Sequence, residues 1–367
     1  MLGATFLTQL WLCRSILSYP LTICIVLYCS NNKDLHRLRP PSASGRPPAE
    51  ILVYWNVPTF QCDAHQLNFS GLVEKFGIVQ NQNGRFWGRM VNILYDPGRF
   101  PALLRNGSRN GGVPQEGDLA EHLKAFQESL DDVVPDESFA GIGIIDFESW
   151  RPVFRQNFGS LTNYRRASVA LEREKHPGWS EKELEHEAAR RFEGGARKFM
   201  ENTLVAAKRA RPRAFWGYYA YPYCFNMSPN SMREACPKEV TAENDRTKWL
   251  FKLVDNFHPS LYLQKLRMNA SQKVQMIEGR INEAHRISEK FNIRPRIVPY
   301  YWFKYQDKHQ QFVTKQDLFE SFIALASFKI DGLVIWGSSN DVNTRKKCHE
   351  LYHYIDNVLG PLIKHIF

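Results

Sequence analysis

Residues 141–152 read GIGIIDFESWRP, and this stretch decides the predicted fold. Its apolar run is typical of a strand buried on both faces, and it ends abruptly at Asp146 and Glu148. Side chains alternate along a strand, so both carboxyls project to the same side, with Cβ atoms roughly 7 Å apart. Carboxyl groups that close resist ionising together, so one pKa rises and that group can act as a general acid near neutral pH. This chemistry cleaves glycosidic bonds, although a solvated strand end whose acids cap the next loop is the alternative.

Strand-like and helix-like segments alternate along the chain from residue 50 onward. Helical patterns begin at Ser180, which forms a capping box with Glu183, and again near Ser271 and Thr314. About seven strands alternating with helices, without a repeat period, predict an α/β fold, a single-domain TIM-like (β/α) barrel. A doubly wound sheet is the alternative, but no Gly-x-Gly-x-x-Gly or Walker sequence follows a strand. The strand candidates are Ile51–Val57, Val91–Tyr95, Gly141–Asp146, Ala214–Tyr219, Ser260–Leu263, Arg296–Trp302 and Gly332–Trp336.

Aromatic side chains occur at the predicted strand ends, where the loops of a barrel build its site. Tyr95, Tyr219, Tyr262 and Trp336 each stand at or near such an end, as the two carboxyls do. Aromatic residues are common in strands, so each of them alone could equally belong to the core. Together they favour a carbohydrate-binding cleft.

The net charge of +10 over 367 residues suits a polyanionic partner, either nucleic acid or acidic polysaccharide. The densest basic run, KRARPR at 208–213, ends a helical pattern, so it either complements the helix dipole or forms a binding patch. No module that reads nucleic acid is visible, and we expect no nucleic-acid partner. The histidines are scattered, and HEAAR at 186–190 lacks the second histidine of a zinc motif. We therefore expect neither a metal nor a cofactor.

The N-terminal segment has the pattern of a targeting sequence. Arg14 precedes an apolar stretch, 15–29, of signal-peptide length that is short for a membrane span. Residues 1–30 are thus predicted as a signal peptide or, since no clean cleavage site follows, a signal anchor. Residues 31–49, rich in Arg, Pro and Ser, are predicted as a flexible linker. We expect secretion, and membrane attachment only if the leader is retained.

Cysteine usage agrees with export. Beyond the leader there remain Cys62, Cys224, Cys236 and Cys348, which allow three disulfide pairings. Proximity in sequence favours Cys224–Cys236, and Cys62–Cys348 would then join the first strand's loop to the final helix. Sequons fit an extracellular surface, and they stand at Asn68, Asn106, Asn226 and Asn269.

Six motifs in order resemble the hyaluronidases of glycoside hydrolase family 56, most of all the insect venom type. They are VYWNVPTF (53–60), ILYDPG (93–98), DFESWRPVFRQN (146–157), WGYYAYPYC (216–224), PYYW (299–302) and IWGSS (335–339). The resemblance covers roughly residues 50 to 363 and makes 50–367 a hyaluronidase-like catalytic barrel. It implies hydrolysis of the β-1,4 linkage between N-acetylglucosamine and glucuronate in hyaluronan, with retention, and chondroitin is left open as a second substrate.

The resemblance also implies a role for each candidate residue. Glu148 protonates the leaving oxygen and later activates water, while the substrate's own acetamido carbonyl attacks. Asp146 shares a proton with Glu148 or orients the acetamide. Tyr262 positions the acetamide and Trp336 walls its pocket; Tyr219 and Tyr95 line the cleft. Arg151 holds the carboxylate geometry or meets glucuronate.

The disulfides implied by the resemblance are Cys62–Cys348 and Cys224–Cys236. We expect a monomer. The competing hypothesis is a catalytically weak glycan-binding protein on the same barrel, which loss of Glu148 or Asp146 would have favoured; both are present.

Overall fold

Parallel strands alternate with helices through residues 51–228 and 231–367, the residues that the computed structural model describes. The predicted leader and linker, residues 1–49, lie outside them. The contacts of the chain gather Ala49–Phe367 into one compact unit. Within the described residues, no helix is both long enough and apolar enough to cross a membrane.

The barrel strands are β1 (Leu52–Asn56), β2 (Val79–Gln80), β3 (Val91–Tyr95), β6 (Ile142–Asp146), β7 (Phe215–Tyr218), β8 (Asn256–Phe257), β9 (Arg296–Ile297), β10 (Tyr300–Trp302) and β13 (Gly332–Trp336). Two antiparallel hairpins form separate sheets outside the barrel, β4 (Ala102–Leu104) with β5 (Gly107–Arg109) and β11 (Lys304–Tyr305) with β12 (Lys308–Phe312).

The α-helices are α1 (Ser70–Glu74), α2 (Leu119–Val133), α3 (Thr162–Lys175), α4 (Glu181–Ala210), α5 (Lys238–Arg246), α6 (Lys248–Phe251), α7 (Ala270–Phe291), α8 (Lys315–Ser327), α9 (Arg345–Tyr354) and α10 (Gly360–Ile366). Short 3-10 turns span Thr59–His65, Gln82–Gly84, Pro114–Glu116, Phe154–Gln156, Gly159–Leu161 and Ser339–Asp341, and a π-helical turn spans Ile355–Leu359.

The strands pair in parallel around a ring, so the predicted β/α barrel is confirmed. Main-chain ladders give the order β10–β13–β1–β2 on one side and β3–β6–β7 on the other. β8 pairs with β9, and parallel bridges from Tyr219 to His258 and from Ser260 to Tyr300 connect β7 through β8 to β10.

The side chain of Asn81 joins β2 to β3, where no ladder forms between them in the described residues. Its Nδ2 donates to the carbonyl of Val91 over 2.8 Å, and its Oδ1 accepts from the amide of Met90 over 2.9 Å. A single carboxamide therefore completes the ring.

The strand side chains divide between two apolar clusters according to the period of two. One cluster fills the barrel and includes Ile93, Ile144, Val298 and Val334. The other lies between the strands and the surrounding helices. Gly143 belongs to this outer layer, because the ring of Trp216 lies 2.4 Å from where a Cβ at Gly143 would stand. The glycine allows the indole to pack directly on the main chain.

Two details of the predicted sheet are wrong. The predicted strand Ser260–Leu263 is instead β8, Asn256–Phe257, followed by isolated bridges at His258 and Ser260. Pro259 interrupts the segment because it has no N–H to give a ladder. The prediction of about seven strands also missed β2, whose two residues are too few to show a pattern.

Both predicted disulfides are confirmed. Cys62 pairs with Cys348 and Cys224 pairs with Cys236. The first joins the segment after β1 to helix α9, so it links the two ends of the described barrel.

The basic run at 208–213 is mostly structural. Lys208 donates to the carbonyl of Leu253 and pairs with Asp255, while Arg211 donates to the carbonyl of Val134 and pairs with Asp131. These two cations anchor the end of α4. Arg213 lies beyond the helix and is exposed.

Candidate active site

The cleft lies at the carboxyl ends of the barrel strands. Tyr95, Asp146 and Trp336 are the last residues of β3, β6 and β13. Each follows, at a spacing of two, a residue that points into the barrel: Ile93, Ile144 and Val334. The inward-facing row of each strand therefore ends in a chemically functional side chain at the same mouth of the barrel.

Asp146 stands in the less polar environment of the two carboxyls. Its Oδ1 is buried without a hydrogen-bond partner among the described residues. Burial raises the pKa of Asp146 well above its ordinary value, and the charges of Glu148 and Asp96 raise it further. The two carboxyls of the motif are therefore close enough for the charge of one to act on the other. Asp146 therefore holds a proton more readily than an ordinary aspartate.

Glu148 keeps contact with solvent. Protein atoms crowd around its carboxyl and withdraw it partly from water, which raises its pKa, while the charge of Arg151 lowers it. The spacing of the carboxyls had predicted one raised pKa, with Glu148 kept protonated as the acid. The stronger shift falls instead on Asp146, because that side chain is the more deeply buried of the two.

Arg151 is fixed in place beside Glu148. Its guanidinium donates to the carbonyl of Gln156 over 2.6 Å. It also lies 5.1 Å from the ring centroids of Phe158, Tyr223 and Phe225. These cation–π contacts hold a permanent positive charge close to Glu148.

Trp336, Tyr262 and Trp302 form an aromatic wall. The rings of Trp336 and Tyr262 are stacked at 5.6 Å with an interplanar angle of 21°, and Trp302 meets Trp336 edge-on at 5.6 Å. The indole Nε1 of Trp336 donates to the hydroxyl of Tyr95 over 2.8 Å. That bond spans the cleft between β13 and β3 and orients the indole.

Tyr219 and Tyr262 supply neutral phenol groups. Burial raises the pKa of each, so both hydroxyls stay protonated through the physiological range. The Tyr219 hydroxyl donates to Oγ of Ser260 over 3.1 Å, and the two tyrosine rings lie 6.2 Å apart. The structure thus brings together Tyr95, Asp146, Glu148, Arg151, Tyr219, Tyr262 and Trp336 around one cleft.

Two ion pairs that support the cleft were missed by the sequence reasoning. The two terminal guanidinium nitrogens of Arg109 donate to the two carboxylate oxygens of Asp96, at 2.6 and 2.8 Å, next to Asp146. Lys304 pairs with Asp341 at 2.9 Å, and both side chains are buried. Asp96 was visible as the aspartate of the ILYDPG motif, but its partner lies on a separate hairpin that no local pattern connects to it.

Asp341 positions the loop after β13. Its Oδ2 accepts from the amide of Ser338 at 2.8 Å and from Nε1 of Trp302 at 3.2 Å. One carboxylate therefore fixes the loop that follows Trp336 and an indole that packs against Trp336. The aromatic wall depends on this buried polar group.

The sequons differ in exposure. Asn68, Asn106 and Asn269 are exposed. Asn226 is fully buried, and its amide nitrogen donates to the carbonyls of Glu234 and Met276. The folded chain gives a glycan no access to Asn226, so the prediction of a glycosylated Asn226 conflicts with the structure. The sequence pattern cannot report burial.

A sequence model of the hyaluronidase family matches residues 40–367. The chain belongs to the hyaluronidase family. The hyaluronidase of Apis mellifera is 47% identical over 323 residues, which cover 86% of this chain and 84% of that protein. Hyaluronidase A of Vespula vulgaris is 45% identical over 324 residues, 87% of this chain and 97% of that protein.

The solved hyaluronidase structures agree with the barrel. Bee venom hyaluronidase in complex with a hyaluronic acid tetramer superposes with a TM-score of 0.84 at 47% identity, covering 86% of this chain and 99% of that chain. The monoclinic crystal form of bee venom hyaluronidase gives a TM-score of 0.83. The resemblance to family 56, the TIM-barrel fold and membership of a family of glycoside hydrolases are therefore confirmed.

Proposed function

We propose that this chain is an endo-β-N-acetylhexosaminidase that hydrolyses the β-1,4 linkage between N-acetylglucosamine and glucuronate in hyaluronan, with retention. The observation that carries the proposal is Asp146 at the end of β6 with Glu148 two residues further on, next to the aromatic wall that includes Trp336 and Tyr262. The bound hyaluronic acid tetramer in the solved relative supports the choice of substrate. Chondroitin, built from similar alternating sugars, is a second candidate substrate.

The position of the carboxyls favours attack by the substrate's own acetamido group. An ordinary retaining enzyme places its nucleophile and its acid on opposite sides of the scissile bond. Here Asp146 ends β6 and Glu148 follows two residues later, so both carboxyls come from one short segment. Asp96, whose charge also reaches Asp146, is engaged by Arg109. The acetamido carbonyl of N-acetylglucosamine would then supply the missing nucleophile.

Each side chain has a role in this mechanism. Glu148 donates its proton to the leaving oxygen and then, as a carboxylate, takes a proton from the attacking water. An oxygen of Asp146 accepts a hydrogen bond from the acetamide N–H, which leaves the acetamide carbonyl free to attack. Tyr262 and Trp336 enclose the acetamide, and Tyr219 and Tyr95 contact the sugars along the cleft.

Arg151 completes the site as a fixed cation. Its charge favours the ionised form of Glu148 that the second step needs, and it can meet a glucuronate carboxylate. The overall positive charge of the chain suits a polyanionic substrate through long-range attraction.

We further propose that the protein is secreted and acts as a monomer outside the cell. Two disulfides support an oxidising compartment. Three exposed sequons, at Asn68, Asn106 and Asn269, are the sites where we expect glycans.

The decisive experiment compares the wild-type protein with Glu148→Gln on high-molecular-weight hyaluronan, following polymer size and reducing ends. We expect Glu148→Gln to lower kcat by about 10²–10⁴-fold, the usual contribution of a positioned general acid and base. Glu128→Gln, at an exposed glutamate on α2, is the matched control and should leave the rate unchanged. Unsaturated product ends would indicate a lyase instead.

The second candidate function is glycan binding without efficient catalysis. It would be favoured if the wild-type protein bound hyaluronan yet left it intact from acidic to neutral pH. In that case the mechanism proposed for Glu148 would be wrong.

A further inference from the structure

A second cavity opens at the end of the barrel opposite the cleft. Its volume is about 460 Å³, and it lies where strands β3, β6, β7 and β9 begin. The cleft lies where the same strands end, so the length of the barrel separates the two. Tyr54 of β1 and Phe215 of β7 contribute aromatic surface to the cavity.

Three arginines line this cavity from different parts of the chain. Arg89 precedes β3, Arg213 precedes β7 and Arg296 begins β9. All three are exposed. Like charges around one concavity repel one another, weakly where water screens them, and an anion bound between them would replace that repulsion with attraction.

The protein supplies little of that neutralisation within residues 51–228 and 231–367. The side chains of Arg213 and Arg296 form no ion pair and no hydrogen bond with these residues. Arg89 meets Asp136 only at 3.8 Å, and its side chain is 84% exposed. Asp136 is itself engaged by the amide and hydroxyl of Ser138, at 2.9 and 2.6 Å.

Arg296 is ordered in advance for binding. Its guanidinium lies 3.5 Å from the ring centroid of Phe215, which fixes the plane of the group. A guanidinium that stacks through its face leaves the N–H groups along its edge free, in the geometry that suits two oxygens of one anion. The phenol of Tyr54, held neutral by a raised pKa, adds a hydroxyl that can donate in the same cavity.

A purely structural role accounts for only part of this arrangement. The amino ends of barrel strands often carry residues selected for stability. Stacking on Phe215 fits such a role for Arg296, but it gives no reason for Arg89 and Arg213 to line the same cavity. A bound anion accounts for all three arginines.

We propose that this cavity binds a compact oxyanion, a carboxylate, sulfate or phosphate group, through Arg89, Arg213 and Arg296. The anion is either a free ion or the charged group of an anionic saccharide, which present the same oxygens to the arginines. The site is independent of the cleft and of the reaction proposed there.

The test measures binding to the full chain by isothermal titration calorimetry at constant ionic strength. The probes are inorganic sulfate and a sulfated disaccharide derived from heparin, each added to the wild type and to Arg213→Gln/Arg296→Gln. We expect saturable binding to the wild type for at least one probe and a loss of at least about tenfold in the double variant, because each charge-assisted bidentate contact is strong. The rate of hyaluronan depolymerisation should not change.

A charge-matched control separates a site from general attraction. Arg166→Gln/Arg267→Gln removes two other exposed arginines that form no ion pair in the described part of the chain, and binding should persist. If only sulfate binds, the ligand is a free ion. If the disaccharide binds more tightly than sulfate, the ligand is the charged group of a saccharide. Equal losses in both double variants, or no saturable binding of either probe, would overturn the proposal.

Folding of the variants is checked by circular dichroism. If Arg213→Gln/Arg296→Gln is unfolded, the single change Arg213→Gln is the deciding variant, since that exposed side chain makes no hydrogen bond, ion pair or cation–π contact with the described residues. Arg296→Lys adds a geometric readout. It keeps the charge but lacks the planar fork, so binding should fall measurably although the net charge stays the same.

Discussion

Asp146 is a half-buried acid whose Oδ1 is buried without a hydrogen-bond partner in the described chain. Its ionised form is therefore unfavourable to folding. Its folded pKa lies above the unfolded value, so its contribution to stability is greatest below the unfolded pKa. That contribution is lost as the pH rises through the folded pKa. A group retained at such a disadvantage is typical of an active site.

Asp146→Asn should therefore stabilise the protein while it impairs catalysis. Asparagine cannot ionise, so we expect the free energy of unfolding near neutral pH to rise by about 0.5–2 kcal/mol, with a smaller gain in acid. Urea denaturation at several pH values measures this, and hyaluronan depolymerisation should slow in parallel. Asp132→Asn, at an exposed aspartate of α2, should change neither quantity. A loss of stability at neutral pH would contradict the assigned pKa.

The pH dependence of activity should follow Glu148 through Arg151. The first step needs protonated Glu148, so activity falls as the pH rises through its pKa, which the guanidinium of Arg151 lowers. Arg151→Gln removes that charge, and we expect the alkaline limb of kcat/KM to move to higher pH. Arg99→Gln, which removes a half-exposed arginine paired with Glu121, is the control. An unmoved limb in Arg151→Gln would show that Arg151 does not act on Glu148.

At the residue scale, the sequence predicted what depends on a local pattern. The period of two placed Asp146 and Glu148 on one side, and the aromatic strand ends predicted the cleft. The balance of protonation between the carboxyls and the burial of Asn226 were not predictable, because both depend on segments far apart in sequence.

The loop after β13 shows how an element is held by distant residues. Its geometry depends on the buried pair of Lys304, in the β11–β12 hairpin, and Asp341. Both groups have been withdrawn from water, so each needs the other to compensate for its lost hydration.

Asp341→Asn should lower the free energy of unfolding far more than the removal of an exposed ion pair. It leaves Lys304 buried without its counter-charge, for which we expect a loss of roughly 3–5 kcal/mol in the free energy of unfolding. Asp356→Asn removes the exposed partner of Lys75 and should cost less than about 1 kcal/mol. Urea denaturation compares the two, and similar losses would refute the view that the Asp341 pair is isolated from solvent.

Helices and strands were not equally predictable. The caps at Ser180 and Thr314 identified the starts of α4 and α8, because capping chemistry is local. Strand β2 was missed and β8 was misplaced, because their few residues gain order from pairing with neighbours rather than from their own pattern.

The whole barrel is tied by two disulfides of very different span. Cys62 and Cys348 are 286 residues apart, whereas Cys224 and Cys236 are 12 apart. A crosslink restricts the unfolded chain more when the loop it closes is longer.

Removing the long-range disulfide should destabilise the protein more than removing the short one. In the chain-entropy view, Cys62→Ala/Cys348→Ala costs about 6 kcal/mol, and Cys224→Ala/Cys236→Ala about 3 kcal/mol. Urea denaturation of the two double variants against the wild type measures the difference. A larger loss from the short loop would mean that local packing around Cys224, and not chain entropy, dominates.

At the scale of the whole molecule, the alternation of strands and helices predicted the barrel and its functional end. How the ring closes was not predictable, since closure depends on one polar side chain meeting the main chain of another strand.

That closure at Asn81 has a consequence for how mutation can act on this fold. Along a ladder, the bonds come from main-chain groups that every residue except proline provides, so the side chains can vary freely. Between β2 and β3 the bonds come instead from the side-chain carboxamide of Asn81, which donates to one main-chain group and accepts from another. Only asparagine and glutamine carry a carboxamide. The contact between β2 and β3 therefore depends on the residue at position 81, whereas the other strand pairs depend on main-chain bonds spread along each strand. A single substitution at this position can open the ring, and a single substitution elsewhere along a ladder cannot.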